Sequence, residues 1–135
     1  RDEFMVSLRD ICNENDILLI FDEVQTGIGI TGKIWAHEHF SVKPDIISFG
    51  KKTQVCGILA GDRINEVENN VFKKSSRLNS TFGGSLTDMV RFKIILETIR
   101  DFNLLDNAKL NGEYLLNKIK FPSPGYPSGI QFILC

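Results

Sequence analysis

The sequence has no excess of either charge, no long apolar run and no cysteine pattern, and each absence removes a class of function. Lys plus Arg number 16 against 17 for Asp plus Glu, a formal net charge of -1, so there is no basic field to gather phosphate backbones and no nucleic-acid partner is expected. The longest apolar stretches, such as Ile17 to Phe21, fall far short of the roughly 20 residues that cross a bilayer. No basic start leads into an apolar signal region. These features point to a soluble, cytoplasmic chain with no membrane partner. Cys12, Cys56 and Cys135 are odd in number, widely spaced and without C-x-x-C, so neither a disulfide framework nor a zinc site is supported, and mostly buried, reduced thiols are expected. With 42% hydrophobic and 24% charged residues, the composition excludes disorder, collagen and coiled coil. The chain begins at Arg1 without methionine and stops at Cys135 just after an apolar stretch, ends that read as a piece of something larger.

What is present alternates between helical and extended patterns. Phe4, Met5, Leu8, Ile11 and Cys12 recur at helical spacing behind Asp2, a candidate N-cap. The run Ile17 to Phe21, apolar on both faces, then breaks into Asp22-Glu23. It predicts a central strand of a parallel sheet covered by helices. A short helix is expected over Lys33 to Phe40, strands over Asp45 to Phe49 and Gly57 to Ala60, and a short helix over Ile64 to Phe72. Two longer helices follow, Leu86 to Phe102 with Met89, Val90, Ile94, Ile95 and Ile99 on one face, and Leu104 to about Ile119. Pro122, Pro124, Gly125 and Pro127 forbid regular structure before a last strand over Gly129 to Leu134. The fold class is α/β.

Three pattern matches overlap in residues 17 to 33. Gly27-Ile-Gly29-Ile-Thr-Gly32 satisfies G-x-G-x-x-G, but a Rossmann turn needs its first glycine where strand becomes helix, and here the strand ends some residues earlier. Gly27 to Lys33 fits G-x-x-x-x-G-K, yet Ile34 replaces the hydroxyl that would hold magnesium. The apolar strand ending in Asp-Glu precedes this would-be phosphate loop instead of following it, which sets an ATPase aside. His37 and His39 diverge if helical and have no third ligand, so no metal is expected. Trp35 reads as a packing residue.

Asp22 alone could be a solvated strand-end carboxylate, and Lys51-Lys52 a charged turn. Together they place an acid and an amine at the carboxyl ends of two strands, the edge where open α/β sheets bind ligands. Pyridoxal phosphate chemistry needs both: a lysine that condenses with the aldehyde, and an acid that favours the protonated ring nitrogen. Spacing leaves Lys51 and Lys52 as alternatives, because consecutive residues of an extended segment face opposite ways and only one reaches the ring.

The stretches Phe21-Asp22-Glu23-Val24-Gln25-Thr26-Gly27, Pro44-Asp45-Ile46 and Phe49-Gly50-Lys51 resemble the class III, omega-type aminotransferases of PLP fold type I. Gly50 to Gly57 and Arg77 to Gly84 most closely resemble the branch that acts on the terminal amine of L-lysine, and Thr31 to His39 also resembles the 4-aminobutyrate branch. The resemblance implies that residues 1–120 are the central part of a large cofactor-binding domain, a mostly parallel sheet flanked by helices. Residues 121–135 then form a divergent or truncated tail at the start of a missing C-terminal region. It further implies pyridoxal 5'-phosphate as cofactor, with Lys51 and Asp22 catalytic. Lys51 would be the Schiff-base lysine, Asp22 the partner of the pyridine nitrogen, Val24 a packing contact on the ring face and Gln25 a donor to the phenolic oxygen. Ser80 and Thr81 would reach the cofactor phosphate of the partner subunit in a homodimer, although the residues alone also fit an ordinary turn or an N-cap. The implied reaction moves the terminal amino group of L-lysine to 2-oxoglutarate, giving 2-aminoadipate 6-semialdehyde and glutamate. Other omega-amino donors and a catalytically inactive truncated product are the alternatives.

Overall fold

The computed structural model describes residues 2–78 and 80–118. Helix α1 spans Asp2–Glu14, strand β1 Ile20–Asp22, β2 Ile46–Phe49, β3 Gly57–Ala60, helix α2 Leu86–Asp101 and α3 Leu104–Lys118, with single 3-10 turns at Ala36–His39, Lys51–Thr53 and Asp62–Glu66. The sheet order is β1-β2-β3. β1 and β2 run parallel with Asp22 opposite Ser48, and β2 and β3 run antiparallel with Phe49 opposite Gly57. The expected parallel pairing therefore holds for β1 and β2, while β3 folds back through the tight turn that carries the lysines.

Several expectations shift in detail. β1 begins at Ile20, not Ile17, and is not covered on both faces: Leu19 is buried, whereas Ile20 is 58% exposed. β1 is an edge strand among the described residues, and its Ile20 and Asp22 side chains, which share one face, are exposed. The two short helices expected near Lys33 and Ile64 are 3-10 turns over Ala36–His39 and Asp62–Glu66, because each stretch is too short for the costly first α-turn to be repaid by propagation. On α2 the face turned inward is Asp88, Phe92, Ile95 and Ile99, spaced 4, 3 and 4 residues apart as one helical stripe must be. Met89, Val90 and Ile94 stay exposed, because the ring of Phe92 stacks on Phe49 with centroids 5.5 Å apart and fixes the rotation of the helix. Asp2 is no N-cap: its carboxylate accepts the amide and hydroxyl of Ser41, both at 2.8 Å. Cys56 is exposed, against the expectation of buried thiols, while Cys12 is buried. The expected final strand over Gly129 to Leu134, the proline segment and Cys135 lie outside the described residues.

The main core gathers Cys12, Leu19 and Val42, with Met5, Leu8 and Phe21 packed against it. At the amino-terminal end of the sheet, Asp45 accepts the Leu19 amide at 2.7 Å and Arg9 Nη1 at 2.8 Å, and Arg63 Nη1 lies 3.5 Å away. This clamp joins α1, the entry to β1 and the segment after β3. Burial pushes the Asp45 carboxyl up, yet the Leu19 amide and the two guanidinium groups outweigh it and hold it below the usual carboxylate range. Among the described residues no helix is long and apolar enough to cross a membrane.

Candidate functional site

Parallel pairing brings the carboxyl ends of β1 and β2 side by side, and so sets Asp22 next to Ser48 and the turn that follows it. Asp22 Oδ1 accepts the Val24 amide at 3.0 Å and the Ser48 hydroxyl at 2.9 Å. Among the described residues, Oδ2 receives no hydrogen bond. The Val24 amide chiefly, then the Ser48 hydroxyl, with help from the Lys51 ammonium, hold the exposed Asp22 carboxyl below its ordinary value. The result is an ionised acid with one oxygen pinned and the other open to an external donor.

Lys51 and Lys52 diverge, though not by strand alternation. Their segment is a 3-10 turn over Lys51–Thr53 instead of an extended one. Lys52 is half-buried and its Nζ donates to the Gln25 carbonyl. Lys51 is exposed, with φ at 53°, a left-handed conformation that costs an L-residue roughly 1–2 kcal/mol and that recurs at functional sites. The Gln54 amide, donating to the Lys51 carbonyl at 2.9 Å, closes the turn. Spacing alone does not separate the two lysines. The geometry gives Lys52 an internal partner, and among the described residues Lys51 Nζ makes no hydrogen bond.

Val24 lies beside Gly50, where an added Cβ would meet its methyls at 3.7 and 3.8 Å and Cys56 Sγ at 3.1 Å. The side chain of Gln25 faces solvent. Asp22, Val24, Gln25 and Lys51 therefore belong to two turns joined by the Lys52 bond and by Val24 against Gly50. Ser80 and Thr81 do not join them: both are exposed, and no hydrogen bond among the described residues ties either to Asp22, Gln25 or Lys51. Nor do they cap α2, since Ser85 Oγ accepts the Asp88 amide at 3.4 Å. The Ser80 carbonyl accepts the Gly83 amide at 3.0 Å, a local turn. A shallow cavity of about 270 Å³ has Asp22, Met5, Phe21 and His37 among its walls, but not Lys51.

The glycine decoys resolve into packing. Gly29 and Gly32 have φ of 93° and 81°, and a Cβ on them would meet Leu105 Cδ2 and Lys109 Cβ, each at 3.0 Å. These glycines let the loop approach α3 closely. His37 Nδ1 lies 3.1 Å from Glu23, His39 Nε2 lies 3.1 Å from the Thr31 carbonyl, and no cluster of three metal-ligating side chains occurs among the described residues. Trp35 packs on Phe49 with ring centroids 6.1 Å apart.

Sequence reasoning missed Glu23. Only 3% exposed, its carboxylate accepts Thr26 Oγ1 and the Ala36 and His37 amides, each at 2.8 Å, besides facing the His37 ring. Burial pushes this carboxyl up, but the donors outweigh burial and hold it below the ordinary value. A signal was available: beside an outward Asp22 at a strand end, the next residue must point inward, and a buried carboxylate has to be hydrogen-bonded.

A carboxylate with one oxygen unbonded among the described residues, an exposed primary amine at Lys51 and an apolar Val24 beside Gly50 are groups that suit pyridoxal phosphate. The sequence pattern of the family Aminotransferase class-III matches residues 1–127. The L-lysine-epsilon aminotransferase of Mycobacterium tuberculosis is 52% identical over 128 residues, which cover 95% of this chain and 28% of that protein. The 4-aminobutyrate aminotransferase of Emericella nidulans is 35% identical over 130 residues, 95% of this chain and 25% of that one. Among solved structures, lysine aminotransferase from M. tuberculosis in the internal aldimine form superposes with a TM-score of 0.82 at 56% identity, covering 87% of this chain and 27% of that one. The chain belongs to the class-III aminotransferases and carries part of their α/β fold. It spans little more than a quarter of the length of the M. tuberculosis relative.

Proposed function

We propose that this chain carries the lysine and ring-nitrogen side of a pyridoxal phosphate site in an aminotransferase acting on the terminal amine of L-lysine. The observation that carries the reading is that, among the described residues, Asp22 has one oxygen held by Val24 and Ser48 and Oδ2 unbonded, and Lys51 Nζ has no hydrogen-bond partner while Lys52 is bonded to Gln25. Class-III aminotransferases depend on pyridoxal phosphate, which when bound supplies an aldehyde that takes up amines and a ring that draws off electrons. Lys51 Nζ would be the group that holds the cofactor covalently and the amine that carries a proton. Asp22 would hold the ring-nitrogen end and favour its cationic form. Val24 would pack against the ring face, and the Gln25 amide would donate to the phenolic oxygen.

The amino group passes from the terminal carbon of L-lysine to 2-oxoglutarate, leaving 2-aminoadipate 6-semialdehyde and glutamate. Lysine is favoured as donor over 4-aminobutyrate by the higher identity to the lysine enzyme, 52% against 35%. Ser80 and Thr81, exposed and tied to neither Asp22 nor Lys51, fit a homodimer in which they serve the partner's cofactor phosphate. Borohydride reduction of the protein with pyridoxal phosphate, followed by peptide mass spectrometry, tests the reading. Label on the peptide at Lys51, lost in Lys51→Ala and kept in Lys52→Ala, is the expected result; label on Lys52 overturns it. Lysine-dependent glutamate formation tests the donor.

A further inference from the structure

Glu23 is the most completely bonded acid among the described residues, and no step above uses it. Its two oxygens face four donors from two separate pieces of chain. Thr26 Oγ1 and the Ala36 amide reach Oε2 at 2.8 Å, while the His37 amide at 2.8 Å and His37 Nδ1 at 3.1 Å reach Oε1. The backbone of Glu23 is fixed as well: its amide donates to the Ser48 carbonyl at 2.9 Å and its carbonyl accepts the Gly27 amide at 2.9 Å. Both flanking residues belong to the candidate site. Asp22 precedes it, and Val24, whose amide pins Asp22 Oδ1, follows it.

We propose that Glu23 is a positioning residue: its buried carboxylate staples the turn after β1 to the 35–37 segment and thereby aims Asp22 Oδ2 and Gln25 at the cofactor ring. The staple acts at a distance in sequence, since Ala36 and His37 lie 13 and 14 residues away. The Gly27 position shows how closely the two pieces meet. A Cβ there would stand 2.8 Å from the Glu23 carbonyl and 2.9 Å from the Trp35 ring. From the opposite side Lys52 holds the Gln25 carbonyl, so the turn is gripped at both ends of the Asp22–Gln25 stretch. Glutamine at position 23 would set an NH2 against donors in place of one oxygen. It cannot accept there, and the turn must rotate to relieve the clash.

The inference rests on the pyridoxal phosphate reading for its purpose, but its test does not. In the full chain without cofactor, NMR titration of the Asp22 carboxyl reports the bond from the Val24 amide directly. Glu23→Gln is expected to raise the Asp22 titration toward the ordinary aspartate value and to speed amide exchange at Val24. Thr26→Val, which removes one donor of four, keeps the fold and moves both readouts the same way by less. An unchanged Asp22 titration and Val24 exchange in Thr26→Val, and in Glu23→Gln where it folds, overturns the proposal, even if melting temperature falls. With cofactor present, Glu23→Gln is expected to bind it roughly tenfold more weakly, the equivalent of one charge-assisted hydrogen bond. Failure of the wild-type chain to be trapped at Lys51 would sink the cofactor reading while leaving the Asp22 result to judge the staple.

Discussion

Two hydroxyl-rich and charged segments carry candidate site residues, and they are built in opposite ways. The strand-end turns around Asp22–Gly27 and Gly50–Thr53 are tied to the body of the chain: Glu23 is 3% exposed under four donors, Thr53 is 0% exposed, and Lys52 bridges one turn to the other. Among the described residues the Ser80–Gly84 segment has only local bonds; Phe82 within it is 80% exposed, and Leu86 just after it is 83% exposed. The first region is shaped by interactions within the chain, so its geometry is its own. The second presents hydroxyls and large apolar side chains outward, so little within the described residues fixes its geometry.

The largest way to sharpen this contrast is Lys51→Ala, which should abolish borohydride-trapped label, while Lys52→Ala keeps it but loosens the Gln25 carbonyl. If both variants lose label equally, the two turns do not separate the roles of the lysines. Next, Asp45→Asn removes the ion pairs that join α1 to the sheet and should cost about 2 kcal/mol in denaturant unfolding. Gly27→Ala forces a Cβ into the Glu23 carbonyl and the Trp35 ring, at an expected cost of roughly 1–3 kcal/mol, and should disturb the Lys51 label more than any change in 80–84 made within the same chain.

Acid should act on the first region and spare the second. Glu23 and Asp45 both titrate below their ordinary values in the folded chain, so their contribution to stability is present above the unfolded carboxyl values, about 3.9 to 4.3, and is lost as pH falls through the lower folded values. Unfolding midpoints measured from pH 6 down to 2 should drop most steeply below about pH 4, and less steeply in Asp45→Asn. The smallest effects belong to Thr81→Ala and Phe82→Ser, expected to change stability by no more than about 0.5 kcal/mol because both sites are exposed. A larger loss would show that the 80–84 segment is packed after all.

The acid and the lysine were legible because an apolar run ending in Asp22 and a strand ending in Gly50-Lys51 are local signals that survive without any knowledge of partners. The helices over Leu86 to Phe102 and Leu104 onward were legible for the same reason, since periodicity is written in neighbouring residues. Which face of α2 turns inward was not, because Phe92 finds Phe49 only after the sheet forms. Glu23 was read merely as the companion of Asp22, its partners being a loop away.

The sequence by itself determined the three α-helices and three strands but not the 3-10 turns; it also determined the strand-end placement of Asp22 and Lys51, and membership of a family that pairs an acid with a lysine. Tertiary structure alone decided that Lys52 is spent on the Gln25 carbonyl, that Asp22 keeps one oxygen open, and that Glu23 is buried beneath the turn. The reason is physical: hydrogen-bond donors 13 to 27 residues distant choose among side chains that look equivalent along the chain, and only the folded sheet brings them within reach.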